Sequence, residues 1–424
     1  MPTLHLKYGT GTQDVSISDR SLAGILEPIP GQMVGDEVGD EFATIRTALA
    51  KPIGTPRLAE LVHGRRHVAI VVSDITRPAP TAKMLGPLLD ELNQAGIADE
   101  RIRLVFATGI HRSHTPVEQA TLLGTAYRRV RCIDSAGAHG REAGMTLVGR
   151  TQRGTPVLVD SVVAEADLRI ATGNVEYHYF AGYSGGAKAL VPGVCGKTTI
   201  EHNHGLMVHP GAAAGHVDDN PVRQDLEEAG AMIGIDFCLN TVLNGKRQVI
   251  AAYAGQPNAV LRHAAPTVDA TYSVTIPEHA DVVVASAGGH PKDINLYQAQ
   301  KALDNARFAV RPGGTLILVA ECSEGFGEPT FEQWMTTASS LEALVSRIQR
   351  EFVLGGHKAA AIALVLRQMR VFLVSELPDQ LVRRMFMEPA PSAQAALDAA
   401  LNEAGVGASV LAIPNAGSVV PRVS

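Results

Sequence analysis

The sequence predicts an α/β protein of two domains with largely parallel sheets. Three observations carry this. Short apolar, β-branched runs such as Val68-Ala-Ile-Val-Val72 recur along the chain. Each ends in a polar loop, and each loop leads into a stretch with helical spacing of apolar residues. Strands that alternate with helices form parallel sheets, because a parallel neighbour is reached only through a long crossover. At 424 residues the chain also exceeds one ordinary core.

The elements follow in order. Leu4 and Leu6, then Val15 and Ile17, alternate with polar residues around Gly-Thr-Gly and read as a hairpin. A helix is expected near Asp40 to Leu49. His67 to Ser73 is a buried strand that ends in Asp74-Ile-Thr-Arg-Pro-Ala-Pro80, with a helix over 81–96. Arg103 to Ala107 is a second strand, ending in Thr-Gly-Ile-His111. Leu168 to Thr172 is a third, ending in Gly-Asn-Val-Glu-Tyr-His178. In parallel sheets ligands bind beyond the carboxyl ends of the strands, so these three loops can converge on one site.

The pattern restarts near residue 274. Asp281 to Ser286 and Gly314 to Ala320 read as strands with a helix over Asn295 to Val310 between them. Helices across 328–368 and strands at Val371 to Ser375 and Ser409 to Ile413 complete it. The domains are accordingly placed at 1–272 and 273–424. Pro312-Gly-Gly-Thr reads as a plain turn before a strand, the wrong order for a dinucleotide-binding turn.

Composition excludes several function classes. Lys and Arg total 37 against 43 Asp and Glu, for a net charge of −6, and no basic tract stands out. Nucleic acid and an anionic membrane are thus not expected partners. Aromatics make up 4% with one Trp, too few for base-stacking platforms. Cys132, Cys195, Cys238 and Cys322 are scattered without a Cys-x-x-Cys pair, which excludes a disulfide scaffold or thiolate zinc site. No basic-then-apolar leader and no apolar run of membrane length (about 18 residues) appears, so a cytoplasmic location is expected.

The densest chemistry lies in Ala181-Gly-Tyr-Ser-Gly-Gly-Ala-Lys188, Pro192-Gly-Val-Cys-Gly-Lys-Thr-Thr199 and Glu201-His-Asn-His204. Glycines there let backbone approach a ligand closely. Gly196-Lys-Thr invites a phosphate-loop reading, but Val191 stands where the first glycine of that motif is required. His202 and His204 lack the i, i+4 spacing of a helical zinc pair, although one His can still ligate a cofactor-borne metal. His111 and His178, each at a strand end, suit an acid–base pair, since imidazole titrates near neutrality. Arg77 offers a planar fork for a carboxylate. Tyr297, Gln298 and Lys301 share one face of a helix, which offers donors to a carboxylate or hydroxyl.

Taken together, these segments resemble the nickel-pincer lactate racemase family. The matching pieces are Ser73-Asp-Ile-Thr-Arg-Pro78, Ala107-Thr-Gly-Ile-His-Arg112, His178-Tyr-Phe-Ala-Gly-Tyr-Ser-Gly-Gly-Ala-Lys188, Pro192-Gly-Val, Glu201-His-Asn-His-Gly205 and Pro291-Lys-Asp-Ile-Asn-Leu-Tyr-Gln-Ala-Gln-Lys301, in the family's order. The resemblance implies an active site in the cleft between two α/β domains. It also implies a nickel-pincer nucleotide, a pyridinium mononucleotide with two sulfur-bearing arms. Lys188 would be its covalent thioamide link, and His204 the fourth nickel ligand, a set of soft sulfur plus imidazole that nickel favours. Asp74, Ile75, Thr76 and Arg77 would touch the cofactor. His111 and His178 would be the acid–base pair, and Arg77, Tyr297, Gln298 and Lys301 would hold a small 2-hydroxyacid, lactate first among them. The implied activity is isomerisation through hydride transfer and a 2-ketoacid, with separate enzymes making the cofactor. Phe180 and the stretch Gly355-Gly-His-Lys358 are candidates for choosing the substrate's side chain.

Three other readings compete. A zinc-dependent hydrolase would use His111, His178 and His204 as ligands. A nucleotide-binding module would leave the two histidines and the Tyr-Gln-Lys face without a task. A pyridoxal phosphate racemase would form its imine on Lys188.

Overall fold

The computed structural model describes residues 2–27 and 39–423. The chain divides into two compact units: Met33–Thr271, and Tyr272–Ser424 together with Met1–Gln32. The second unit begins where the sequence pattern restarts. The opening segment, expected with domain 1–272, instead joins that second unit. Its strand Leu22–Ile25 lies parallel to Val410–Ile413. Leu6, Val15 and Ile17 are fully buried in one core with Val282, Val284 and Ile317. Local periodicity identified the hairpin but not Leu22–Ile25, nor the far end of the chain against which both pack.

In Met33–Thr271 a six-stranded sheet runs in the order Val249–Gly255, Phe237–Leu243, Leu168–Asn174, Val68–Ser73, Ile102–Ala107, Arg131–Asp134. Neighbours are parallel except the pair Val249–Gly255 and Phe237–Leu243. Val68 to Val72 are all buried, as an unbroken apolar run requires of a strand covered on both faces. The helix Thr81–Gln94 buries Met84, Leu85, Leu88, Leu89 and Leu92, one apolar stripe at helical spacing. Asp40 caps the helix Glu41–Ala50 by accepting from the Phe42 and Ala43 amides.

Strand order reverses at Val68–Ser73. From there the chain moves outward to Ile102–Ala107 and Arg131–Asp134, then returns to the other side with Leu168–Asn174. The crevice beyond the carboxyl ends at such a reversal is where ligands bind in open α/β sheets. The loops that carry Asp74, His111 and His178 leave the sheet at those ends.

The other unit holds a second six-stranded sheet in the order Glu388–Pro389, Arg370–Val374, Val310–Val319, Ala280–Ser286, Val410–Ile413, Leu22–Ile25, with every neighbour parallel. The opening hairpin Thr3–Tyr8 and Gly11–Ser16 pairs antiparallel, as expected. Asn295 caps the helix Leu296–Ala306, which ends short of Val310 because Arg307–Ala309 tightens into a 3₁₀ turn. Pro312-Gly-Gly-Thr is not a turn ahead of a strand. It lies inside Val310–Val319, where Ala280 pairs with Val310 and Val282 already pairs with Thr315. The intervening residues form a bulge, with Gly313 at φ +74.

Candidate active site

Asp74 follows the last residue of its strand and is 2% exposed. Its Oδ1 accepts from the Thr76 amide at 3.2 Å and the Thr76 hydroxyl at 2.7 Å, a short side-chain turn that fixes the loop. Its Oδ2 lies 2.5 Å from Nδ1 of His111, on the loop after the neighbouring strand. Burial alone would raise the Asp74 carboxyl, but the bonds from His111 and Thr76 outweigh it and hold it below the usual aspartate range. With the carboxylate ionised, the neutral His111 ring carries its proton on Nδ1. Its Nε2 has no hydrogen-bond partner among the described residues.

His178 ends the two-residue strand Tyr177–His178, which pairs with Gly182–Tyr183. Gly182 is required there: at φ +76 it lies so close to the His216 carbonyl that a Cβ would stand 1.8 Å from that oxygen. The His178 Nδ1 accepts from the Ala181 amide at 3.3 Å. Phe180 meets the His178 ring edge-on at 4.5 Å and the His204 ring at 4.8 Å, so it stands between the two. Burial, then the nearby Lys188, Arg77, His204 and Arg223, push His178 well below the ordinary histidine range.

Lys188 sits in the 3₁₀ turn Gly186–Ala189. Burial, then Arg77 and Arg223, push its amine well below the usual lysine range, with Glu176 acting against them. Two residues that carry no sequence motif hold this turn. Asn240, fully buried on the adjacent strand, accepts from the Gly186 amide at 2.7 Å. Arg223, fully buried on the helix Pro221–Ile233, donates to the carbonyls of Ala181 at 3.1 Å, Gly185 at 3.5 Å and Tyr183. Its guanidinium is pushed down to about 10, chiefly by burial. The one available sequence signal for Arg223 was a lone cation on the apolar side of an amphipathic helix.

His204 is in the last turn of Lys197–Gly205 and its Nδ1 lies 3.1 Å from Asn203 Oδ1. His202 turns elsewhere, onto the Thr198 carbonyl at 2.8 Å, because residues two apart on a helix face different sides. Ile75, Thr76 and Arg77 are exposed. The Arg77 guanidinium has no ion-pair partner among the described residues, while Lys188 and His178 both sense its charge. Thus Asp74, Arg77, His111, His178 and Lys188 lie on loops and turns of this unit, and His204 on its helix Lys197–Gly205.

Tyr297, Gln298 and Lys301 belong to the other unit, on the helix Leu296–Ala306. They alternate with its buried residues Leu296, Ala299, Gln300 and Ala302, as the shared-face expectation requires. Lys358, from the Gly355-Gly-His-Lys358 stretch, donates to the Tyr297 carbonyl and stands 3.9 Å over the Tyr297 ring. Burial, then Lys301, push its amine down to about 7. Burial followed by Glu328 pushes the Tyr297 hydroxyl up to about 12.

Among the described residues no three His, Cys, Asp or Glu side chains gather as metal ligands, so the three-histidine zinc site has no basis here. Nor, among them, is any helix long and apolar enough to cross a membrane.

Residues 8–215 match the family model for the lactate racemase N-terminal domain, and residues 276–421 that for the lactate racemase C-terminal domain. The chain is 29% identical to a lactate racemase of Thermoanaerobacterium thermosaccharolyticum and 30% identical to one of Lactiplantibacillus plantarum, over 100% of each sequence. The apoprotein structure of the T. thermosaccharolyticum lactate racemase superposes with a TM-score of 0.87 at 29% identity, covering 99% of this chain and 100% of that one. A Thermotoga maritima protein of 19% identity shares the fold, with a TM-score of 0.63 over 91% of this chain. The chain belongs to the lactate racemase family.

Proposed function

We propose that the protein racemises lactate or a closely similar short 2-hydroxyacid. The observation that carries this reading is that loops from one sheet edge carry both the Asp74–His111 dyad and His178, whose ring is held well below the ordinary histidine range near Lys188 and His204. His111 exchanges a proton with the substrate hydroxyl at Nε2, because Asp74 occupies Nδ1. His178 does so at its own Nε2, because Nδ1 faces the Ala181 amide. The two rings serve opposite faces of the substrate carbon. Arg77 holds its carboxylate, and Phe180 helps select its side chain.

The residues fit a nickel-pincer nucleotide. Arg77 and Arg223 are the cations that press on Lys188, with Glu176 acting against them among the described residues, an environment that suits an anionic group. A lysine held neutral is the nucleophilic form that a thioamide link requires, and His204 offers an imidazole to nickel. Asp74, Ile75, Thr76 and Arg77 line the same edge. When bound, the group supplies a hydride acceptor and donor for the substrate's α-hydrogen, chemistry no side chain provides. This reading places the protein in the cytoplasm, dependent on separate enzymes that make the cofactor.

The test is protein from a nickel-sufficient host that carries the cofactor-making enzymes. Nickel near one per chain, a mass increment on Lys188, and conversion of one pure lactate enantiomer to a mixture without added NAD are expected. Zinc at full occupancy with unmodified Lys188, or inactivity across a panel of 2-hydroxyacids, overturns the reading.

A further inference from the structure

A second aspartate–histidine pair lies one turn of loop beyond His111. His114 Nδ1 is 2.5 Å from Asp134 Oδ1, and Asp134 Oδ2 accepts the His114 amide at 3.1 Å. Asp134 ends the strand Arg131–Asp134, next to the strand that leads into this loop. The His114 side chain is 2% exposed, its ring against Phe106 at 4.5 Å between centroids. A proton shared with a carboxylate at Nδ1 leaves Nε2 as an acceptor, and Nε2 accepts the backbone amide of Ile75 at 3.0 Å.

The two loops are therefore tied twice, in opposite directions. Asp74, from the loop after Val68–Ser73, grips His111. His114, from the loop after Ile102–Ala107, grips the residue next to Asp74. Ile75 is itself 39% exposed, and the Asp74 turn spends its bonds on Thr76 and His111. The Ile75 amide has no other acceptor among the described residues, so the buried ring substitutes for water there.

We propose that His114 is a positioning residue: through Ile75 it fixes the loop that carries Asp74 and Arg77, and through Asp74 the ring of His111. This rests on the reading of His111 as a proton-transfer residue. His114 itself touches no reacting atom.

Asparagine and glutamine separate its two bonds. Asn can keep an amide donor at the Nδ1 position for Asp134 but has no acceptor that reaches Ile75. Gln can place an acceptor near Nε2. Amide exchange of Ile75 in the full chain without cofactor should be slow in the wild type. It should rise at least about tenfold in His114→Asn and return toward wild type in His114→Gln. In the loaded enzyme, kcat of His114→Asn should fall by about 10–10²-fold with KM nearly constant, and Gln should recover most of it. Ile75 exchange unchanged in His114→Asn overturns the proposal. So does a Gln variant no better than Asn, or an Asn variant whose exchange rises everywhere and whose melting point collapses, since the ring would then be holding the fold. An inactive loaded wild type counts against the racemase reading alone, because the exchange arm decides the tie by itself.

Discussion

Asp74 Oδ2 sits 2.5 Å from His111 Nδ1, so the loops after two adjacent parallel strands meet in one charge-assisted hydrogen bond. A carboxylate in that position fixes the tautomer and the plane of the imidazole. The bonds from His111 and Thr76 also outweigh burial, which by itself would raise the Asp74 carboxyl.

Asp74→Asn should therefore lower kcat by about 10²–10⁴-fold with little change in KM. An amide can present its NH₂ to Nδ1 and favour the wrong tautomer. The stability signature has a definite sign. The Asp74 carboxyl is lowered in the folded protein, so its contribution is present above the ordinary aspartate value (about 3.9) and disappears as pH falls through the folded value. The melting-point deficit of Asp74→Asn should thus be full near neutrality and shrink in acid. A deficit that grows in acid would refute this account.

Lys188 gives the opposite sign. Its amine is lowered on folding, so the unfolded chain binds the proton more readily, and the cofactor-free protein gains stability as pH rises toward the unfolded lysine value of about 10.4. Lys188→Met should raise the neutral-pH stability of the cofactor-free protein by about 1–4 kcal/mol, with the gain fading at alkaline pH. The same variant should show no mass increment after exposure to the cofactor-making enzymes. A variant that melts below wild type at neutral pH would show that burying the amine carries no net penalty there.

Arg223→Met removes every donor that holds the carbonyls of Ala181, Tyr183 and Gly185 from that helix. Lost bonds from a charged donor, less the gain from no longer burying the charge, should cost about 2–4 kcal/mol. Because those carbonyls frame the turn that presents Lys188, the yield of Lys188-linked cofactor should fall too. Intact-mass spectrometry beside a thermal melt reads both, and normal labelling with normal stability would show the loop is held by other means.

The elements were legible where the signal is local. The Val68–Val72 run and the leucine stripe of Thr81–Gln94 declare themselves within a few residues. His111, His178 and the glycine-rich stretch with Lys188 and His204 stood out because reactive residue types cluster at strand ends and glycine turns, while roles for Asp74, Lys188 and His204 came only from the family resemblance. What stayed hidden depends on chain-distant partners. Arg223 and Asn240 act on a loop some 40 to 55 residues earlier. Leu22–Ile25 finds its sheet only through Val410–Ile413. His114 lay three residues from a residue already singled out, but its meaning needs Asp134, whose position beside it follows from strand pairing.

The assignment of His111 and His178 to opposite faces of the substrate exposes the mechanism most directly. Each ring then serves one enantiomer as base and the other as acid, and a full cycle in either direction uses both. The equilibrium constant between enantiomers is one by symmetry, so a variant cannot slow one direction alone. His111→Ala and His178→Ala should each depress racemisation in both directions, by about 10²–10⁴-fold. Single turnovers should differ. With one ring removed, the enantiomer whose hydroxyl meets the surviving ring can still be oxidised, and the other cannot. Rapid mixing of each loaded variant with each pure enantiomer, followed by the absorbance of the bound group, should give a fast phase in one combination per variant. The responsive enantiomer should switch between His111→Ala and His178→Ala. The same enantiomer responding in both variants would put the two rings on one face and remove the opposite-face arrangement, whatever the substrate proves to be.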